Sequence, residues 1–382
     1  MRPASCVLNA AVAIACLAGF SAHAASVGVE QLRADASGSG ISHAADPGMP
    51  WVRSADINLV RRINGVMYIE QFETLPPARK PADIKALMQP AAKLGTAGKI
   101  TPQKYTVRRN DEAVLVLDIA LESCGAYCEE FWARYAFDLR TGRRLLLADL
   151  LTPAGTTAVG KLLEIQRLAA LKTAALEKRK AAKSAADAQA RQGYEAAATL
   201  YEDCAAQAGA PDLARFSWQL DTGGIAFFKE RCSNHAMRAL DDLGDYQQIL
   251  ATDALRPHLT PYGKALLMHE KTVPLPTERN MAGQLLQGKL NGRIPVSMMM
   301  GLPRKTGEAA LPTVYFHDQY RKPINLVSAV QKNGPNLAVN ITMTESASTD
   351  NPQPYFEAAM LPGRISGRWV GKAGSLRFEA MP

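Results

Sequence analysis

The sequence predicts an α+β protein in two parts: a mixed or antiparallel sheet domain with an Ala-rich helical insertion, then a C-terminal all-β barrel or sandwich. Three observations carry this. Over residues 135–151, Tyr135, Phe137 and Leu139 alternate with Ala136, Asp138 and Arg140, and Thr141-Gly142 makes a turn. Leu145 and Leu147 then resume the alternation before Thr152-Pro153 opens a helix. That period marks a half-buried strand, and the glycine can take positive φ in the turn. Residues 154–208 lack proline and are dominated by Ala, Lys, Arg, Glu and Leu, a helix-forming composition. Beyond Ala282 come eight short β-runs in roughly 100 residues, the density of a small antiparallel barrel or sandwich.

The chain of 382 residues, 47% apolar and 21% charged, is of ordinary globular composition and long enough for two domains. Residues 1–24 read as a signal peptide: Arg2 is the charged end, residues 7–20 are mostly apolar, and Ala22-His23-Ala24 is a small-x-small cleavage site. The apolar run is shorter than the ~20 residues a spanning helix needs. A lipoprotein at Cys16 is the competing reading, but Leu17 and Phe20 keep the run apolar past it. Cleavage near Ala24 predicts a periplasmic or secreted protein with no transmembrane segment. Losing Arg2 lowers the formal charge from +8 to +7, which favours anionic envelope polymers or membrane surfaces over acidic proteins or else, as preferred, marks a mildly basic soluble protein; no nucleic-acid partner is predicted.

Four cysteines remain: Cys124, Cys128, Cys204 and Cys232. An even number in an exported chain reads as two disulfides, and 124–128 with 204–232 is the arrangement chosen from three. Residues four apart on a straight strand lie about 13 Å from each other, and a disulfide needs Cα atoms within about 7 Å, so residues 125–127 must turn. On loop length the long bridge contributes roughly 3.6 kcal/mol and the short one roughly 2.1 kcal/mol.

Residues 25–55, rich in Ala, Ser and Gly, read as a flexible lead, with order starting at Trp51. Asn64-Gly65 between residues 57–63 and 66–72 is a hairpin signal. Ile84, Leu87 and Met88 give residues 80–94 helical spacing. Residues 104–108 and 113–121 read as strands, the second apolar enough for a sheet centre, and residues 131–147 continue the sheet. In the insertion, Leu162, Leu163, Ile165, Leu168, Leu171 and Leu176 form an apolar face, and Gly193 is the predicted break. A second hairpin spans residues 214–229 with its turn at 221–224, and short elements follow at 240–250 and 255–267. Residues 271–282, with Pro274 and Pro276, read as a linker between a domain at 56–270 and a β-barrel-like domain at 283–382.

No catalytic, cofactor or metal site is predicted. His43, His235, His258, His269 and His317 show no metal-ligand spacing; Cys232-Ser-Asn-His235 is half a zinc site or, as preferred in an exported chain, an oxidised cysteine beside a histidine. Glu129-Glu130 and Asp241-Asp242 read as solvated faces or caps. Trp132, Trp218 and Trp369 read as core. Lys178, Arg179, Lys180 and Lys183 form the clearest basic cluster, a contact for an anionic ligand or else a solvated helix face.

Phe137-Asp138-Leu139-Arg140-Thr141-Gly142-Arg143 and Leu147-Ala148-Asp149-Leu150-Leu151 resemble the Phe-Asp-Leu-x-Thr-Gly and Leu-x-Asp-Leu-Phe element of the RsiV/PdaC-type extracytoplasmic domain. Gly224-Ile-Ala-Phe-Phe228, residues 232–244 and Leu259-Thr-Pro-Tyr-Gly263 are similar to its later elements, so the likeness covers about residues 56–270. The resemblance implies an α+β binding domain outside the cytoplasm; in RsiV it senses lysozyme, and in PdaC it accompanies a peptidoglycan deacetylase domain. The Ala-rich insertion and the cysteines depart from the pattern. The expectation is an exported, non-enzymatic envelope-binding protein for a peptidoglycan-related ligand or a lysozyme-like protein. The alternatives are a cell-wall hydrolase or modifying enzyme, and a structural partner in an envelope assembly.

Overall fold

The computed structural model describes residues 26–33, 48–88, 100–124, 128–270, 274, 281–302, 310–332, 339–345, 353–361, 363–372 and 374–382. The protein is α+β followed by a closed barrel, as the sequence predicts. Strand β1 (Gly28–Arg33) pairs antiparallel with β2 (Gly48–Arg53). This corrects the expected flexible lead over 25–55, within which both strands fall. Leu32, Met49, Trp51 and Val52 are buried in the first core, so burial of apolar side chains outweighs the composition around them.

The predicted hairpin at Asn64-Gly65 is instead the middle of helix α1 (Ile57–Phe72). Asp56 caps it, its side chain accepting from the Asn58 and Leu59 amides. Leu59, Ile63, Val66, Met67 and Ile69 are buried at helical spacing. Asn64, 1% exposed, makes no turn: its amide donates to the Val52 carbonyl and its Oδ1 accepts from the Val52 amide, joining the helix to β2. A Cβ on Gly65 would lie 2.4 Å from Leu285 Cδ2, so this glycine is the contact point with the barrel. The helix predicted for 80–94 is reduced to α2 (Lys85–Met88), and residues 89–99 lie outside the described residues.

Strands β3 (Ile100–Asn110), β4 (Val114–Cys124), β5 (Cys128–Asp138) and β6 (Arg143–Arg144) form an antiparallel sheet in that order. Leu115, Leu117, Ile119 and Leu121 face α1, and Val114, Val116 and Ala136 face a second core. The central strand is thus apolar on both faces over this stretch. At the end of β5 the amides of Thr141 and Gly142 donate to the Asp138 carbonyl, with Gly142 at φ 72°. The buried Asp138 carboxylate accepts from the Arg140 amide and guanidinium and from the Tyr262 hydroxyl. Next comes α3 (Leu147–Leu150), tied down by Asp149, which accepts from the Leu146 amide and pairs with Arg143 at 2.9 Å. Burial raises the Asp149 carboxyl above the usual range despite Arg143.

The insertion is a helical hairpin, α4 (Pro153–Ser184) and α5 (Ala188–Ala206). Its break falls at 185–187, not at Gly193, because Asp187 caps α5 by accepting from the Ala190 amide at 2.7 Å. Gly193 lies within α5 in open space, where a glycine costs a helix only about 1 kcal/mol. The predicted apolar face is also corrected. Leu163 and Leu171 are buried, but Ile165 and Leu176 are 65% and 71% exposed, and Glu164 and Arg167 occupy the inner face instead.

The predicted second hairpin is β7 (Ser217–Asp221) and β8 (Gly224–Lys229), completed by β9 (Tyr246–Ala251). Two further helices, α6 (Thr252–Leu255) and α7 (Pro261–Leu267), close the second core. The expected linker over 271–282 lies outside the described residues except for Pro274 and the buried Met281 and Ala282.

Eight strands then form a closed antiparallel barrel in sequence order: β10 (Leu285–Leu290), β11 (Ile294–Met300), β12 (Ala310–His317), β13 (Pro323–Lys332), β14 (Val339–Glu345), β15 (Tyr355–Leu361), β16 (Arg364–Gly371) and β17 (Gly374–Met381). Pairing of β10 with β17 closes it. Its interior is packed with Met298, Tyr315, Phe356, Phe378 and their neighbours, while cross-strand pairs such as Arg368–Glu357 lie outside. This polarity is the reverse of a membrane barrel. Among the described residues, no helix is long and apolar enough to cross a membrane. The barrel wall meets α1: Leu285, Met299 and Phe316 belong to the first core, and Arg61 pairs with Asp318.

Candidate functional site

Where the helical hairpin returns to the β7–β9 sheet, the expected 204–232 disulfide is formed. Cys204 in the last turn of α5 is bonded to Cys232 just beyond β8, with Cα atoms 5.7 Å apart. Cys128 is also disulfide-bonded, and Cys124 stands opposite it in the β4–β5 register. Residues 125–127, expected to turn, lie outside the described residues.

The long bridge forms one wall of a cleft of 840 Å³, whose lining includes Arg167, Arg215, Ser217, Phe228, Lys229 and Arg231. Helix α4 supplies the buried pair at its base. Arg167 donates to Glu164 at 2.7 and 3.2 Å, and Lys229 from β8 donates to the same carboxylate at 3.0 Å. Burial would raise the Glu164 carboxyl, but the bonds from Arg167 and Lys229 outweigh it and hold it below the usual range. For Lys229, burial lowers the ammonium; the Glu164 bond opposes this, and repulsion from Arg167 and Arg215 lowers it further. Arg167 and Lys229 therefore share one carboxylate, and Arg215 lies near enough to repel Lys229. Arg231 pairs with Asp245 at 3.4 Å. At the rim, the Arg134 guanidinium lies 3.7 Å from the centre of the Phe228 ring, and its Nη1 donates to Ser217 Oγ.

Such a set of groups has the chemistry to receive an anion, since crowded guanidinium and ammonium groups are relieved by a carboxylate or phosphate. The predicted basic cluster lies elsewhere on α4. Lys178 pairs with Asp242 and sits 5.6 Å from the Tyr194 ring centre, and Arg179 pairs with Glu202 at 2.6 Å. Lys180 and Lys183 are exposed, and none of the four is among the cleft's lining residues. Of the acidic pairs, Asp241 accepts from the Ser233 and Gly244 amides, and Glu129 pairs with Arg238 at 2.9 Å. His258 accepts through its carbonyl from Thr152, His269 Nδ1 is 3.3 Å from Arg109, and His317 packs on Tyr315 and Tyr320. Among the described residues no three His, Cys, Asp or Glu side chains gather to hold a metal. Trp132, Trp218 and Trp369 are only partly buried.

Sequence reasoning missed Arg167, Arg215, Lys229 and Arg231. The available signal was Lys229-Glu-Arg231 running directly into Cys232: a bridge that draws distant segments together also draws together the charges beside it.

No family model matches the sequence, and no curated protein matches it. Among solved structures, the chain is similar to a member of the DUF3298 family from Bacteroides fragilis, with 15% identity and a TM-score of 0.38, covering 65% of this chain and 99% of that one. It is also similar to a DUF3298 family protein from Pseudomonas aeruginosa, with 12% identity and a TM-score of 0.34, covering 62% of this chain and 95% of that one.

Proposed function

We propose that this chain is an exported, non-catalytic binding protein of the cell envelope, and that it takes an anionic envelope polymer in the cleft beside the Cys204–Cys232 bridge. The observation that carries the reading is that Arg167 and Lys229 share the single carboxylate of Glu164, with Arg215 near enough to repel Lys229. Export is supported by the signal-like residues 1–24 and agrees with the oxidised cysteines. The resemblance of residues 135–151 to RsiV/PdaC-type domains points the same way.

Co-sedimentation of the mature chain with purified peptidoglycan sacculi tests this, with muropeptide release followed in parallel. Retention without release is the expected result, and the Arg215→Glu/Arg231→Glu variant should weaken it at least about tenfold. Release of fragments would point to a hydrolase. Capture of lysozyme in place of sacculi would point to a protein ligand. Unchanged retention by the double variant would remove the cleft from the account.

The same retention should depend on pH in a set direction. The Lys229 ammonium is held below its ordinary value, so its charge is lost as pH rises, before exposed lysines titrate. Affinity should therefore fall with an onset below the ordinary lysine range near 10.4. In Lys229→Arg the decline should move to higher pH; a flat profile in both proteins would exclude Lys229 from binding.

A further inference from the structure

A sheet edge left bare is a template for another chain, because its outward amides and carbonyls still need partners. This protein covers its edges in several ways. Three times a side-chain amide stands where a neighbouring strand would: Asn64 bonds both the amide and the carbonyl of Val52 in β2, Asn110 does so for Val27 at the start of β1, and Gln284 for Arg144 in β6. The outer strand β3 carries Pro102, Lys104 and two irregularities of register, all of which discourage further pairing. The barrel closes on itself and has no edge.

Strand β9 has none of these protections. It pairs with β8 on one side, in an unbroken register from Gly224 opposite Ala251 to Lys229 opposite Tyr246. The Thr252 amide donates to the Gly223 carbonyl. Bonded and non-bonded pairs alternate along an antiparallel ladder, so Tyr246, Gln248 and Leu250 bond to β8, while Gln247, Ile249 and Ala251 aim their amides outward. Those three are the exposed residues of the strand, Ile249 at 47%. Among the described residues none of the three amides has an acceptor, and the Ile249 carbonyl accepts only from the adjacent Gln248 side chain at 3.2 Å. The strand holds no proline, no charge and no bulge.

A second copy of this chain fits the edge poorly. Only the register that sets Ile249 opposite itself satisfies all three outward residues, and it brings Asp245 opposite Asp253 of that copy at both ends, like charge facing like. These exposed carboxylates are held in surface ion pairs with Arg231 and Arg256, which are worth little. They favour an incoming strand with cationic ends, and Ile249 favours an apolar side chain across from it.

We propose that β9 is a docking edge for an extended segment of another polypeptide, which adds a fourth strand to the β7–β9 sheet with an apolar residue beside Ile249 and Lys or Arg at its ends. No residue of β9 lines the basic cleft, so the assignment is independent of the cleft reading.

The probe is the acetylated and amidated peptide Lys-Thr-Val-Thr-Val-Thr-Val-Thr-Lys, added to the mature chain while amide exchange is followed residue by residue. At saturation the Gln247, Ile249 and Ala251 amides should exchange at least about tenfold more slowly, while Gln248 and Leu250, already bonded to β8, should change little. The same peptide with every internal amide N-methylated should not bind, and one with Glu at both ends should bind at least about threefold more weakly. Ile249→Lys should weaken the parent peptide at least about tenfold. Ile249→Pro, which removes an outward amide, should do the same, and unchanged protection of Gln248 and Leu250 shows that its sheet is intact. Failure of the peptide to bind, equal binding of the N-methylated form, or binding with no slowing at Ile249 would overturn the proposal. So would slow exchange at Ile249 in the free chain that disappears on dilution and in Ile249→Lys, since a second copy would then occupy the edge.

Discussion

Asp138→Ala is expected to lower the unfolding free energy by about 3–5 kcal/mol, because it leaves a guanidinium, a buried hydroxyl and a backbone amide without their acceptor. Asp138 is fully buried and accepts from the Arg140 amide at 2.9 Å, from Arg140 Nε at 3.1 Å and from the Tyr262 hydroxyl at 3.1 Å. Burial, reinforced by Asp138, holds the Tyr262 hydroxyl far above its ordinary pKa, so it remains a donor throughout the physiological range. The carboxylate fixes the turn after β5 and docks α7 on it. A thermal melt should drop by roughly 5–15 °C, and Tyr262→Phe should lose no more than about 2 kcal/mol. A change under about 1 kcal/mol in Asp138→Ala would mean that the turn and its pairing with β6 hold without the carboxylate.

Replacing both Cys204 and Cys232 by serine should cost about 3.6 kcal/mol, from the length of the loop that the bridge closes. Around the bridge, the helical hairpin is held by a small satellite core of Leu171, Ala174, Ala175 and Tyr201, with Cys204 and Cys232 packed against it. Hydrogen exchange should therefore rise first in the end of α5 and the outer half of α4, with the barrel unaffected. Anion binding should weaken in the same variant, because Arg167 Nη1 lies 3.8 Å from Cys204 Sγ and Arg231 precedes Cys232. Denaturant midpoints of the parent and double variant, compared at equal m-value, measure the effect. Coincident curves would show that the bridge constrains little in the unfolded chain.

The barrel was legible as eight short β-runs separated by turns, though not at every boundary: residues 287–294 read as one run, and the structure divides them between β10 and β11. Asn291-Gly292 and Gly363, with φ of 49°, 68° and 71°, sit at two of those turns. The long disulfide followed from an even number of cysteines in a chain read as exported, with 204–232 chosen among three pairings. Helix α1 was not legible: its Asn-Gly step is a hairpin signal in any local reading, and what decides it is β2, whose backbone at Val52 needs the Asn64 amide. The site was invisible for a related reason. Arg167, Arg215, Lys229 and Arg231 come from an α-helix, a single 3-10 turn, a strand end and the loop two residues beyond it, with no common period, and only the fold gathers them.

Helix α1 lies between the sheet and the outer wall of the barrel within one core, which Leu59, Ile63 and Phe72 share with Leu285, and Gly65 rests on Leu285. Severing the backbone between Glu270 and Met281 would therefore not release two soluble modules; each fragment would carry a greasy scar where the other had sat. The barrel wall serves as the missing side of its neighbour's core.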